Sequence, residues 1–277
     1  MSKLPVALQL YTVRDAAARD IFGVLKQVKE MGYDLVEFTA DFFGYSAGEI
    51  RAEMDRLGLA AISAHVPIDL LIHDLDLVIT DFGVLGCQYI AIPWLDETRR
   101  PGSPAWPKVL GQIKDICAGL KKAGFQSLYH NHDFEFVKLN GRYALDQLYE
   151  DVPDLAAEID TCWVKVAGVD PAQYIAQYAG RCPVVHLKDF VMPGHSKPQR
   201  LYALIGEDGK DMEAVEPGEG SFDFRPVGYG VQDFPAILDA SVKAGAKYIV
   251  VEQDRSSQRP SLEAARMSRE YLRTLGY

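Results

Sequence analysis

One hydropathy phrase recurs along the chain. A stretch with apolar residues at helical spacing ends in glycine, two or three residues pass, and a short β-branched or aromatic run begins. Met31-Gly32 stands before 35–38, Leu57-Gly58 before 60–64, Leu85-Gly86 before 89–92, Ala123-Gly124 before 127–129 and Ala244-Gly245 before 248–251. Glycine just past a helix end supplies the left-handed conformation that caps it. The run that follows reads as a buried strand, and strands alternating with helices make βαβ units and a parallel sheet.

Counting through predicts eight such units. The strands are expected at 6–10, 35–38, 60–64, 89–92, 127–131, 155–159, 184–187 and 248–251. The helices are expected at 21–31, 47–57, 75–85, 107–123, 144–150, 171–178, 234–244 and 261–275. Eight units in 277 residues favour a single-domain α/β fold, a (β/α)8 TIM barrel over 1–277, rather than an open doubly wound sheet. No G-x-G-x-x-G follows the first strand, which weakens a dinucleotide-binding alternative. The stretch 190–230 is long for a connection and rich in glycine. It leaves the end of strand 7 and is expected to pass over the barrel mouth, with a small hairpin near 202–205.

The polar residues of the strands keep one parity. They are Gln9 in strand 1, Glu37 in strand 2, Ser63 and His65 in strand 3, Glu158 and Asp160 in strand 6, His186 and Lys188 in strand 7, and Glu252 in strand 8. Alternate residues of a barrel strand face inward. Burying so many ionisable groups costs several kcal/mol each unless they are paired. A polar cavity at the carboxyl ends of the strands accounts for them. Glu37 and Glu158 also admit a structural role, paired with a cation such as Lys188. Asp160, His186 and Glu252 offer carboxylate, imidazole and carboxylate from three adjacent strands, a donor set suited to Mn²⁺, Mg²⁺, Co²⁺ or Zn²⁺. Strand 5 runs into Tyr129-His130-Asn131-His132-Asp133-Phe134-Glu135, where alternation sends His130 and His132 the same way.

Composition narrows the function classes. A hydrophobic content of 48% is enough for a large core. A net charge of −10 argues against a phosphate-backbone binder, so no nucleic-acid partner is expected. No apolar run reaches the length of a membrane span, and the N-terminal residues are too polar for a signal peptide. Cys87, Cys117, Cys162 and Cys182 lie far apart and form no C-x-x-C pair, as expected of reduced thiols in a cytoplasmic protein.

Five runs carry a family resemblance: LQLYTVR at 8–14, YHNHDFEF at 129–136, EIDTCWVKVAGVDP at 158–171, RCPVVHLKD at 181–189 and VEQD at 251–254. They resemble the xylose isomerase-like barrels, the sugar phosphate isomerases/epimerases that include inosose dehydratase and the ketose 3-epimerases. The resemblance implies a divalent metal held by Glu on strand 5, Asp on strand 6, His on strand 7 and Glu on strand 8. The last three map onto Asp160, His186 and Glu252. The strand 5 place falls on Tyr129, so Glu135 is the first choice for the fourth ligand and His132 the second. Mn²⁺ is the expected ion, with Mg²⁺, Co²⁺ and Zn²⁺ as alternatives.

The implied activity is that of a metal-dependent sugar isomerase or epimerase, removing a proton beside the carbonyl of a keto sugar or cyclic polyol ketone. Glu252 or Glu135 serves as base, and His132 or Lys188 as acid or oxygen-orienting group. His65, His130 and Trp163 are expected to line the sugar. Trp163 stands where the epimerases have a different substrate-contacting residue, which points away from simple ketose epimerisation. Dehydration of a keto-polyol or keto-glycoside is the alternative from the same chemistry. A metal-dependent endonuclease and a non-catalytic sugar-binding barrel are further alternatives. Relatives often pair, so a homodimer or homotetramer is expected.

Overall fold

A computed structural model describes residues 3–192 and 222–277. Eight parallel strands close into a barrel: β1 (Val6–Gln9), β2 (Leu35–Thr39), β3 (Ala60–His65), β4 (Tyr89–Ile92), β5 (Gln126–His130), β6 (Ala156–Asp160), β7 (Val184–Leu187) and β8 (Tyr248–Val251). Each pairs with its neighbours in chain order, and β8 returns to β1 through Ala7 against Val250. Helices follow the strands and bury an apolar stripe against the outside of the barrel. Helix Ala47–Leu57 shows how the sequence fixes their limits. Ser46 and Glu49 form a reciprocal capping box at its start, and Gly58 closes it at φ 65°.

The structure follows the predicted elements closely and differs in places with a local cause. The first helix runs Arg14–Glu30, earlier than expected, and is broken at Asp20, whose φ of −161° is extended. Two short helices were not foreseen. Ile68–His73 and Thr161–Val166 begin directly after strand ends, with no glycine between to mark them. Strict alternation with the inward Ser63 would turn Ile62 toward the helices, yet it belongs to the inner cluster. A register shift between Val36 and Glu37 of β2 is the reason, pairing Val36 with Ala61 and Glu37 with Ser63.

The barrel interior is layered. At the amino end Ala7, Ile62, Ala91, Leu128, Ala156, Val184 and Val250 form an apolar plug, with Tyr89 and Tyr248 packed against it and edge to face with each other. Polar residues of the same inward parity fill the carboxyl end. Past β7 the chain makes a short ribbon: Asp189–Val191 pairs antiparallel with Asp223–Arg225. The two ends of the long glycine-rich stretch therefore meet. The hairpin expected near 202–205 lies outside the described residues. All four cysteines are buried and unbridged. Among the described residues no helix is long and apolar enough to cross a membrane.

Candidate active site

The polar interior has a floor and a mouth. On the floor Gln9 donates to Glu37 at 2.8 Å, and Ser63 donates to the other Glu37 oxygen. His65 Nε2 lies 2.7 Å from Glu158 Oε2, and His186 Nε2 lies 2.7 Å from Glu37 Oε2. The His65 and His186 rings stack at 5.1 Å. Burial opposes a charge on His186, but the Glu37 and Glu158 carboxylates outweigh it and raise its pKa well above the ordinary value. Glu37 and Glu158 thus pair with histidines instead of Lys188, and with His65 and His186 they make a second buried group whose ligand atoms lie within 4.8 Å of one another.

At the mouth, consecutive strands β5, β6, β7 and the end of β8 each send one inward group to a common point. His130, Asp160, His186 and Glu252 offer ligand atoms that all lie within 4.8 Å of one another. His130 Nε2 is 3.3 Å from Asp160 Oδ2 and 3.6 Å from Glu252 Oε2. His186 turns its Nδ1 to Glu252 Oε2 at 3.0 Å. Burial pulls His130 down, yet its contacts with Asp160 and Glu252 prevail and lift it to about 9.

Lys188 completes the group and is fully buried. Its Nζ is 3.0 Å from Asp160 Oδ2, 2.9 Å from Glu252 Oε2 and 2.8 Å from Asp254 Oδ1. Burial penalises the ammonium, but the three carboxylates hold it charged, well above its usual range. The same ammonium keeps Glu252 ionised against the cost of its burial. Asp254 is the residue that sequence reasoning missed. It lies two positions beyond Glu252, on the inward parity, and that alternation was the signal for it.

Backbone ties hold the mouth in place. Asn131 Oδ1 accepts the Asp160 backbone N–H at 3.0 Å, fastening the exit of β5 to β6. Asp160 Oδ1 accepts the N–H groups of Cys162 and Trp163, capping the helix Thr161–Val166. Thr161 Oγ1 donates to the His186 carbonyl at 2.9 Å, fastening β6 to β7.

The structure brings Asp160, His186, Glu252, Lys188 and His130 together. It places Glu135 elsewhere. That carboxylate accepts the Tyr129 hydroxyl at 2.6 Å and the His132 backbone N–H at 2.8 Å, and it is not in the converging group. Tyr129 faces the outer core. The strand-5 place taken from the resemblance therefore points away from the mouth. His132 is also outside the converging group. Its ring stacks on Phe134 at 5.4 Å and meets Trp163 at 5.0 Å, and burial lowers its pKa far below the ordinary value. Trp163 is buried beneath the ribbon, against Phe222 and Phe224. His65 sits at the junction of floor and mouth, 4.8 Å from the His130 ring.

A divalent ion fits these residues. At a ligand distance of about 2.1 Å, opposed donors stand about 4.2 Å apart, within the spread of the four atoms. His186 presents one nitrogen to the group while a carboxylate stands behind the other, the usual arrangement for a ligating imidazole.

A closed eight-stranded barrel with a buried His/carboxylate centre at its carboxyl end defines the class. The chain belongs to the xylose isomerase-like TIM barrel family, whose sequence profile matches residues 25–275. Among curated proteins it is similar to an inosose dehydratase of Lacticaseibacillus casei, 22% identical over 167 residues, or 60% of this chain and 53% of that one. The chain thus spans about half the length of the curated relatives it matches. Among solved structures it is similar to a sugar phosphate isomerase/epimerase from Parabacteroides distasonis, with TM-score 0.74, 18% identity and coverage of 100% and 96% of the two chains. An L-ribulose 3-epimerase structure matches with TM-score 0.67, 17% identity and coverage of 97% and 93%. A probable 3-DHS dehydratase from Bacillus anthracis matches with TM-score 0.69, 11% identity and coverage of 98% and 99%.

Proposed function

We propose that the chain is a divalent-metal-dependent isomerase or epimerase. It removes a proton from the carbon beside the carbonyl of a keto sugar or cyclic polyol ketone. The observation that supports this is the convergence of His130, Asp160, His186 and Glu252 at the barrel mouth. The ion is of the Mn²⁺, Co²⁺ or Zn²⁺ class, held by Asp160, His186 and Glu252. When bound, such an ion supplies Lewis-acid stabilisation of negative charge on the substrate oxygens.

The chain's own groups do the rest. Glu252 is the base. It approaches His130, His186 and Lys188 through Oε2, and Oε1 is assigned to the substrate proton. Lys188 donates a hydrogen bond or a proton to a substrate oxygen, braced by Asp254. The His132 ring, neutral in its aromatic slot, orients a hydroxyl, and Trp163 forms the apolar wall beside it. Glu135 acts at one remove by fixing Tyr129 and the backbone of His132. His65 supports the site from below through Glu158.

One observation favours dehydration as a second reading. Epimerisation needs bases on both faces of the reacting carbon. Among the described residues Glu252 has an ammonium 2.9 Å from it, a base and an acid side by side and so suited to losing a β-hydroxyl. The similarity to an inosose dehydratase points the same way.

The experiment is deuterium wash-in from heavy water, followed by NMR across a panel of keto sugars and inososes, with and without added ion. Metal-dependent exchange that disappears in Glu252→Gln is expected. Deuterium in a product that keeps every hydroxyl marks isomerisation or epimerisation, whereas loss of the β-hydroxyl as water, leaving an enol that becomes a 1,2-diketone, marks dehydration. An ion-loaded chain that exchanges no proton on any of these compounds rules the reading out.

A further inference from the structure

We infer that this chain builds its metal centre from two imidazoles and two carboxylates, with His130 as the fourth ligand. It therefore takes Zn²⁺, Co²⁺ or Fe²⁺ ahead of Mn²⁺ and Mg²⁺. The inference rests on the metal-dependent reading above and names the ligand set and ion class of that same site.

Strand parity carries the first step. Leu128 lies in the inner plug and Tyr129 in the outer core, so the inward residue of β5 at the mouth is His130. Its register partner is Glu158, two residues below Asp160 on the same inward face of β6. His130 Nε2 then meets Asp160 Oδ2 at 3.3 Å.

The second step is orientation. His130 Nδ1 lies 3.3 Å from the Pro93 carbonyl oxygen. An acceptor there takes the ring N–H and leaves the lone pair on Nε2, which faces the group. The competing candidates stand outside the converging group: both Glu135 oxygens accept hydrogen bonds away from it, and His132 is not among the residues whose ligand atoms meet.

Charge supplies the third step. Lys188 touches three carboxylates, Asp160, Glu252 and Asp254. An ion that takes the place of the imidazole protons leaves both rings neutral, and Asp160, Glu252, Asp254 and Lys188 then carry two net negative charges, which one divalent ion balances. A glutamate in place of His130 would add a negative charge with no cation to meet it. Imidazole in place of carboxylate also moves preference toward the later, softer first-row ions.

The test strips the chain with a chelator and titrates it separately with Zn²⁺, Co²⁺ and Mn²⁺. Zn²⁺ should bind at least about tenfold more tightly than Mn²⁺. His130→Gln should lose about 10- to 100-fold in Zn²⁺ affinity and shift the visible spectrum of bound Co²⁺. His130→Glu should narrow the gap between Zn²⁺ and Mn²⁺. Should either variant not fold, pulsed EPR of the Cu²⁺-loaded wild type counts bound imidazoles directly. Two are expected, and one overturns the inference. An unchanged Zn²⁺ affinity and Co²⁺ spectrum in His130→Gln, with Asp160→Asn losing the ion, also overturns it and leaves the metal-dependent reading standing. Failure of the wild type to bind any of the ions removes both.

Discussion

Tyr129 donates its phenolic hydroxyl to Glu135 Oε1 at 2.6 Å, and neither side chain reaches solvent. Burial pushes Glu135 up to about 7 from 4.5, against the hydrogen bonds from Tyr129 and His132. Between these two values the folded chain holds a proton that the unfolded chain has released. This group's contribution is therefore present in full below about pH 4.5 and is lost as pH rises through about 7. The loss is on the order of 3 kcal/mol. Glu135→Gln keeps an acceptor for the His132 N–H and removes the titration. In parallel urea melts its stability relative to wild type should climb between about pH 5 and pH 8. A difference that stays flat across that range contradicts the burial argument. Ion affinity should not change, because Glu135 stands outside the converging group.

Asp160 divides its two oxygens between the fold and the site. Oδ1 caps the helix Thr161–Val166, and Oδ2 faces His130 and Lys188. Asp160→Asn keeps a cap-forming oxygen and loses the charge. It should keep the cap, lose stability from the weakened pairing with Lys188 and His130, and lose about 10- to 100-fold in divalent-ion affinity. Asp160→Ala should lose the ion to the same degree and a further ~1 kcal/mol of stability from the missing cap. Calorimetric ion titration and chemical denaturation of the two variants separate the roles. Equal stability of the two would show that the cap does not matter.

The barrel and its inward polar set are legible in the sequence because both depend on short-range periodicity. The glycine-terminated helices mark five of the eight units, and the remaining apolar runs give the other three. The spacing of Glu158 with Asp160 and of His186 with Lys188 puts each pair on one face of its strand. The same rule, applied to β5, selects His130 over Tyr129. The mapping from the resemblance fell on Tyr129 and gave Glu135, which the structure places outside the converging group. What stays hidden depends on geometry beyond the strand ends. Glu135 reaches Tyr129 because a single tight turn, Phe134–Phe136, brings it back onto the strand. Lys188 finds Asp254 only once β7 and β8 pair side by side. Ile62 enters the barrel through a register shift that no hydropathy pattern displays.

Asp189 organises the chain beyond β7. Its Oδ2 accepts the N–H groups of Gly228 and Gly230, and its Oδ1 accepts those of Phe190 and Gln232. Asp189→Ala strands these backbone donors and should cost about 2–4 kcal/mol. Gly230 must stay small, since a Cβ there would stand 2.3 Å from Asp189 Oδ1 and 2.4 Å from the Phe190 carbonyl oxygen. Gly230→Ala should therefore open the same turn. Limited proteolysis should cut both variants near residues 228–232 faster than wild type. Unaltered cleavage there would mean that the carboxylate does not hold the turn.

Lys188 is the fixed cation of the mouth, and removing it tests the charge balance. Lys188→Met keeps an unbranched chain of similar length but leaves Asp160, Glu252 and Asp254 facing one another without the ammonium. Breaking a buried pair in this way costs about 3–5 kcal/mol. The chelator-treated variant should therefore melt well below wild type. A divalent ion on Asp160 and Glu252 restores part of the missing positive charge. It should thus raise the melting temperature of the variant by more than it raises that of wild type, in addition to the ordinary stabilisation by a bound ligand. Thermal melts with and without Zn²⁺ measure both terms. Equal increments in the two proteins would mean that the ammonium and the ion do not share those carboxylates, and the site would then need a different source of positive charge.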